Sequence, residues 1–281
     1  MLHKRKYFSH DELSRQSHKK RLISCNECDI VFERQHRDIL DTLERNNGLF
    51  YCLKCSRKLK STGMNNPNRK FSFDRSFMSK IDTEEKAYLL GWIASDGSIT
   101  KGTIAIYIHK KDLAILEIIR DIICKDIKIV PKKNTQLIGI RINSKEIVND
   151  VCRHLKLEKP GKKSRTVQFP ELENETLKSV FFRGLSAGDG SIYLKQNNLR
   201  WSIATSSTKL VQELIKLCPG LNYYKNKKTN SFNFEVYGKR AMILVRKLYE
   251  SGDNKHLILE RKYKKYVSIL SHRKLKGLEI F

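Results

Sequence analysis

The 281-residue chain is 40% apolar and 9% aromatic, enough for a folded core, which excludes a disordered polyelectrolyte. Lys and Arg number 56 against 30 Asp and Glu, and the formal charge of +26 points away from small-metabolite enzymes and toward a polyanion. The excess is spread, net +8 over residues 1–75 and +18 over the rest, so it reads as basic faces on folded domains with nucleic acid favoured over an anionic membrane.

Met1 to Tyr7 is charged without an apolar stretch, and the longest apolar run, Tyr88 to Ala94, is too short for a bilayer. An intracellular, non-exported protein with no membrane partner is expected, with phage, viral, organellar and nuclear settings all open. Seven cysteines in such a chain are thiols or ligands rather than disulfides. Cys25-Asn-Glu-Cys28 and Cys52-Leu-Lys-Cys55 each aim two thiolates at one point, and together they predict a tetrahedral structural Zn²⁺ site. A helix from Phe32 to Leu43 fits between the pairs. His18 and His36 are possible substitute ligands, though a solvated histidine is the commoner role. Cys124, Cys152 and Cys218 sit singly in apolar patterns and read as core.

Residues 1–60 are therefore expected to form a small zinc module, with basic stretches at His18 to Arg21 and Arg57 to Lys60 that suit phosphates. Residues 61–79 read as a basic linker rich in Asn and Gly, in which Arg69 and Lys70 would either follow a DNA groove or remain solvated.

The rest of the chain contains one unit twice. Gly91-Trp-Ile-Ala-Ser-Asp-Gly-Ser-Ile99 recurs as Gly184-Leu-Ser-Ala-Gly-Asp-Gly-Ser-Ile192, an offset of 93 residues. Each copy ends a helix; the first is expected to start at an Asp82 cap with Glu85 three residues on, and Gly97 and Gly190 are expected to take the left-handed position that stops a helix. Hairpins are expected over 99–108, 127–142, 192–205 and 221–237, and helices over 113–123, 145–155, 210–218 and 241–249. Each half is then αββαββα, with one sheet face on the helices and the other polar and basic. Small residues one turn apart, Gly91 with Ser95 and Gly184 with Gly188, predict close approach of the two motif helices. That approach would set Asp96 beside Asp189, two carboxylates fit for divalent-cation chemistry on phosphate.

At these residues the chain resembles the two-motif, single-chain LAGLIDADG homing endonucleases, with Leu89 to Gly97 and Phe182 to Gly190 as the signature helices over a span of about residues 80–270. The resemblance implies an α+β class: a duplicated αββαββα pseudo-twofold with saddle-shaped antiparallel sheets, plus the N-terminal zinc module. Repeat 1 is placed at 80–172 and repeat 2 at 173–281. The implied activity is a double-strand break in a long, asymmetric DNA target by metal-dependent phosphodiester hydrolysis. The final acidic residues, Asp96 and Asp189, would be the Mg²⁺ (or Mn²⁺) ligands, with Ser95 and Gly188 beside them; the signature's earlier acidic position holds Ala94 and Ala187. Lys163 and Lys262 match the family's basic residue near each active site, and His109 and Ser206 match positions that order water. On the sheet faces, Arg141, Lys132, Lys133, Arg200, Lys225, Lys227 and Lys228 are the expected contacts to double-stranded DNA.

The duplication supplies its own twofold partner, so a monomer is expected. Two alternatives reuse the scaffold: an RNA-binding intron maturase and a DNA-binding transcription regulator. Neither needs two carboxylates near phosphate, which repel it without metal. An intein origin is disfavoured, because the chain has neither Cys nor Ser at residue 1 and ends in Glu-Ile-Phe281 rather than His-Asn.

Overall fold

The structure, a computed structural model, describes residues 14–62, 73–217 and 222–271, which fall into two compact units that divide at residue 70. The expected contacts Arg69 and Lys70, and Cys218, lie outside the described residues. Among the described residues no helix is long and apolar enough to cross a membrane.

In the first unit, β1 (Lys20–Ser24) and β2 (Val31–Gln35) form an antiparallel hairpin, followed by α1 (His36–Arg45) and α2 (Leu53–Thr62). The helix expected from Phe32 begins only at His36. Phe32 lies in β2 and packs toward Phe50 at 6.4 Å, so its spacing from Ile39 mimicked a helical period across an element boundary. Among the described residues, Ile23, Ile39 and Phe50 are the buried side chains of this apolar cluster, which is small for an independent unit.

The second unit begins with α3 (Glu84–Ser95). Its N-cap is Thr83, whose hydroxyl accepts from the Lys86 N–H, while Asp82 instead pairs with the Lys86 ammonium at 2.8 Å. Next come β3 (Gly97–Ile99), β4 (Thr103–His109), a 3₁₀ turn (Lys110–Asp112), α4 (Leu113–Ile123), β5 (Val130–Pro131), β6 (Leu137–Asn143) and α5 (Lys145–His154). After the short α6 (Lys163–Thr166) the pattern restarts. It runs through α7 (Glu175–Asp189), β7 (Gly190–Lys195), β8 (Asn198–Thr205), α8 (Thr208–Leu217), β9 (Asn222–Asn226), β10 (Ser231–Tyr237) and α9 (Gly238–Glu250), and α10 (Glu260–Leu270) closes it.

The two four-stranded antiparallel sheets have the same strand order, β3-β4-β6-β5 and β7-β8-β10-β9. Alternation sorts their faces. Ile104, Ile106, Ile140 and Ile142 point inward onto α4 and α5, and Leu199, Trp201, Ile203, Phe234 and Val236 do the same in the second sheet, within one continuous apolar core. α3 and α7 lie inside that core, most of their residues buried.

The two helices cross where glycine removes side chains. A Cβ on Gly91 would lie 2.7 Å from the Leu185 nitrogen and 2.9 Å from the Gly184 Cα. The helix-ending glycines differ from expectation: Gly190 is extended (φ −77°, ψ 155°) and Gly97 lies outside the left-handed region. What demands glycine there is space, since a Cβ on Gly97 would meet the Ile93 Cα at 2.7 Å and one on Gly190 the Ser186 Cα at 2.9 Å.

Candidate catalytic centre and nucleic-acid face

Asp96 caps the C-terminal end of α3, and Asp189 is the last residue of α7. Because α3 and α7 cross backbone to backbone, their ends are neighbours. A Cβ on Gly188 would stand 3.0 Å from Asp96 Oδ2, and the Ser95 side chain fills the space that Gly188 leaves. The side chains remain open to water yet are ringed by protein, which strips part of their hydration. That desolvation raises both carboxyls, Asp189 to about 6, with the Asp96 charge adding to the rise and Lys163 and Lys262 opposing it.

Each helix end carries a lysine. Lys163, the first residue of α6, donates its ammonium to the Ile93 carbonyl at 2.9 Å and to that of Ser95. Lys262, buried on α10, donates to Ser186 O at 2.9 Å, Ala187 O at 2.6 Å, Gly188 O at 3.2 Å and Gly190 O. Both therefore bind carbonyls at and just beyond a helix C-terminus, where its dipole favours a cation. Burial lowers both to about 8, against the pull of the two carboxylates. The four carbonyls around Lys262 Nζ favour its ammonium form, in opposition to the burial that lowers it.

Two carboxylates at neighbouring helix ends, with Ser95 and Gly188 packed between them, offer hard oxygens, a donor type that suits Mg²⁺ or Mn²⁺. Sequence reasoning missed Asp112, which is buried and accepts from Arg261 Nε at 2.9 and 3.0 Å. This ion pair fastens α10, and with it Lys262, to the start of α4. Asp112 looked in the sequence like an ordinary helix-start residue, and no local signal linked it to residue 261. His109 ends β4 and accepts the Lys111 N–H at Nδ1 (3.1 Å), and Ser206 follows β8 at the corresponding place.

The outward faces bring together some of the expected contacts. Arg141 is exposed and its Nε donates to Tyr107 Oη at 2.8 Å, while Lys132 lies 5.4 Å from the same ring. Tyr107 itself covers Gly139, where no side chain would fit. Lys133 stands exposed in the turn before β6, and Lys227 and Lys228 in the turn before β10. Arg200 is half-buried against Glu235 at 2.7 Å and lies 5.3 Å from the Tyr237 ring. Lys225 faces the other way. It pairs with Phe232 and sits 5.8 Å from that ring, on the side of the sheet opposite to Arg200.

In the first unit, Cys25 and Cys28 sit in the β1–β2 turn, and Cys52 and Cys55 at the start of α2. All four sulfurs lie within 4.8 Å of one another, with Cys28 Sγ and Cys52 Sγ 3.9 Å apart. A tetrahedral ion with bonds of about 2.3 Å requires sulfurs about 3.8 Å apart. The backbone N–H of Cys52 donates to Cys25 Sγ at 3.2 Å and that of Cys55 to Cys52 Sγ at 3.3 Å, contacts that suit thiolates. The cluster closes without His18 or His36.

No protein-family model and no curated protein matches the chain. Solved structures are similar to it. The I-LtrWI LAGLIDADG homing endonuclease bound to target DNA shows 13% identity over 71% of this chain and 96% of that one, with a TM-score of 0.45. I-SmaMI, a LAGLIDADG homing endonuclease bound to cleaved DNA, shows 15% over 69% and 91%, TM-score 0.45. The LAGLIDADG meganuclease I-AabMI bound to uncleaved DNA shows 15% over 68% and 90%, TM-score 0.48. The likeness is one of fold. At identities this low and TM-scores below 0.5, the function has to be carried by the chain's own residues.

Proposed function

We propose that the chain is a site-specific DNA endonuclease that makes a double-strand break by divalent-metal-dependent hydrolysis. The observation that carries this reading is the pair Asp96 and Asp189 at the ends of two crossing helices, each end bound by a lysine, half-buried Lys163 at one and buried Lys262 at the other. Asp96 and Asp189, with Ser95 and Gly188 beside them, would hold Mg²⁺ or Mn²⁺, which when bound supplies Lewis-acid activation of the phosphodiester and its attacking water. The two carboxylates position and charge-balance that site. Lys163 and Lys262 offset the negative helix ends and place positive charge near the phosphate oxygens on which negative charge develops. The outward sheet faces, with Arg141, Lys132, Lys133, Lys227 and Lys228, hold duplex DNA. The protein acts as a monomer, since the duplication furnishes both half-sites. A maturase or a regulator has no use for two desolvated carboxylates beside Lys163 and Lys262.

The test is a randomised-site plasmid library incubated with protein in Mg²⁺ and in Ca²⁺, with the ends sequenced. A single long site cut only in Mg²⁺ is expected. Tight, salt-sensitive DNA retention without cutting would favour the regulator, and a preference for structured RNA the maturase.

A pH dependence follows from Asp189. Its proton affinity is raised in the fold, so below about pH 6 a proton competes with the cation, and above that pH the ionised pair needs it. Added Mg²⁺ is expected to raise the melting temperature at pH 7.5 and to lose this effect as the pH falls through about 6. Equal stabilisation at pH 5 and pH 7.5 would place the cation elsewhere.

The four cysteines are proposed to hold structural Zn²⁺ in a DNA-binding arm that extends the recognised site. With so few buried apolar side chains among its described residues, the unit depends on its metal. Chelation is expected to speed amide exchange in residues 20–58 by at least about a hundredfold. Target binding should weaken more than cleavage of bound DNA slows. Unchanged exchange would show that the module folds without metal.

A further inference from the structure

The two sheets can be superimposed by register alone. Gly97 pairs with Ile106 and Gly190 with Ile203, so Ile106 and Ile203 correspond. Ile106 pairs in turn with Ile140, and Ile203 with Phe234. One residue further along, Arg141 of β6 therefore corresponds to Glu235 of β10. Their cross-strand partners, Ala105 and Ser202, correspond as well. Both side chains stand on the outward face, between inward residues that are buried. At one pseudo-twofold position, then, the first sheet presents a guanidinium and the second a carboxylate.

Neither group is loose. Arg141 is anchored through Nε to Tyr107 Oη, and its two terminal amino groups have no partner among the described residues. They form a donor fork. Glu235 accepts from Tyr193 Oη at 2.5 Å with one oxygen and from Arg200 Nη1 at 2.7 Å with the other. Each carboxylate oxygen has two lone pairs, so one on each remains for a further donor. Tyr193 and Arg200 fix the direction in which the carboxylate is offered, and they keep it ionised.

A carboxylate on a face that meets polyphosphate costs repulsion unless it takes a hydrogen bond from the nucleic acid itself. In the major groove the amino donors are cytosine N4 and adenine N6, whereas an arginine fork matches the O6 and N7 acceptors of guanine. Cytosine suits Glu235 better, because adenine also presents N7, an acceptor that a carboxylate repels.

We propose, resting on the endonuclease reading, that Glu235 is a specificity-determining residue that selects cytosine, while Arg141 selects guanine at the position related to it by the pseudo-twofold. The target is then not palindromic there: the two related positions carry base pairs of opposite orientation. Tyr193 and Arg200 act as positioning residues for the carboxylate.

The experiment is parallel selection from a randomised duplex library, scored both by retention and by Mg²⁺-dependent cutting, for the full chain and for Glu235→Gln and Tyr193→Phe. Melting temperatures confirm folding. The full chain should show guanine in one half-site and cytosine at the matching position of the other. Gln prefers adenine through N6 and N7, so Glu235→Gln should shift the cytosine column toward adenine by about tenfold and leave the guanine column unchanged. Tyr193→Phe keeps the carboxylate and removes one of its anchors; it should relax the same column alone. A specified sequence that is retained and cut, but whose columns do not respond to either variant, overturns the assignment and leaves the endonuclease reading intact. Retention without sequence preference and without cutting overturns both.

Discussion

Replacing either Asp96 or Asp189 by Asn is expected to lower double-strand cleavage by at least about a thousandfold, a loss of about 4 kcal/mol of barrier stabilisation, while target affinity changes by less than about tenfold. Asn keeps the size of the side chain and removes the charge that holds a divalent cation. The basic sheet faces lie on other elements, so DNA retention should survive. The same change has the opposite sign for stability. Desolvation and the facing Asp96 charge hold Asp189 above the usual carboxylate range, so its ionised form is a burden to the metal-free fold at neutral pH. Asp189→Asn should therefore melt higher than the unmodified protein in a chelator, although it no longer cuts. Nicking and linearisation of a supercoiled plasmid measure the first effect, and calorimetry the second. Full double-strand cutting by the variant would remove the shared centre.

The second large effect is structural. Gly184→Val should destabilise the second unit by about 3 kcal/mol or more, because any Cβ there meets the backbone of α3. The positions it would reach are the Gly91 Cα at 3.1 Å and the Trp92 nitrogen at 3.2 Å, with the Tyr88 carbonyl nearer still. Backbone has no rotamer by which to yield, so the helices must separate along their whole crossing. Gly91→Ala and Gly184→Ala should each destabilise, and the double variant should cost less than their sum by about 1 kcal/mol or more, since the first separation makes room for the second. Gly102→Ala is the control. Its nearest neighbour is Lys145 Cγ at 3.7 Å, and its effect should stay within about 0.5 kcal/mol. Additive losses at 91 and 184 would mean that the helices do not meet there.

The repeat, the glycine crossing, the paired carboxylates and the four cysteines were all legible in the sequence, because each is a local pattern that repeats or has a characteristic spacing. The hairpins and most helices followed from alternation and helical period. Capping at Thr83 rather than Asp82 was lost because both are good caps and only the side-chain geometry separates them. β2 was missed because Phe32 happens to fall in phase with the helix after it. Contacts that join distant segments were invisible. Asp112 with Arg261 spans 149 residues and Tyr193 with Glu235 spans 42, and neither carries a local signal. The facing of Lys225 depended on strand register, which composition does not set.

The crossing of α3 and α7 has a consequence for how such a protein can change. The separation of Asp96 from Asp189 is set by main chain against main chain, in helices buried within the core, whereas the bases are met by side chains on sheet surfaces built from other strands. On the endonuclease reading, the stagger between the two cuts is then a constant of the scaffold. Mutations at Arg141, Glu235 and their neighbours can redirect the protein to new addresses, yet every break it makes should leave ends of the same length.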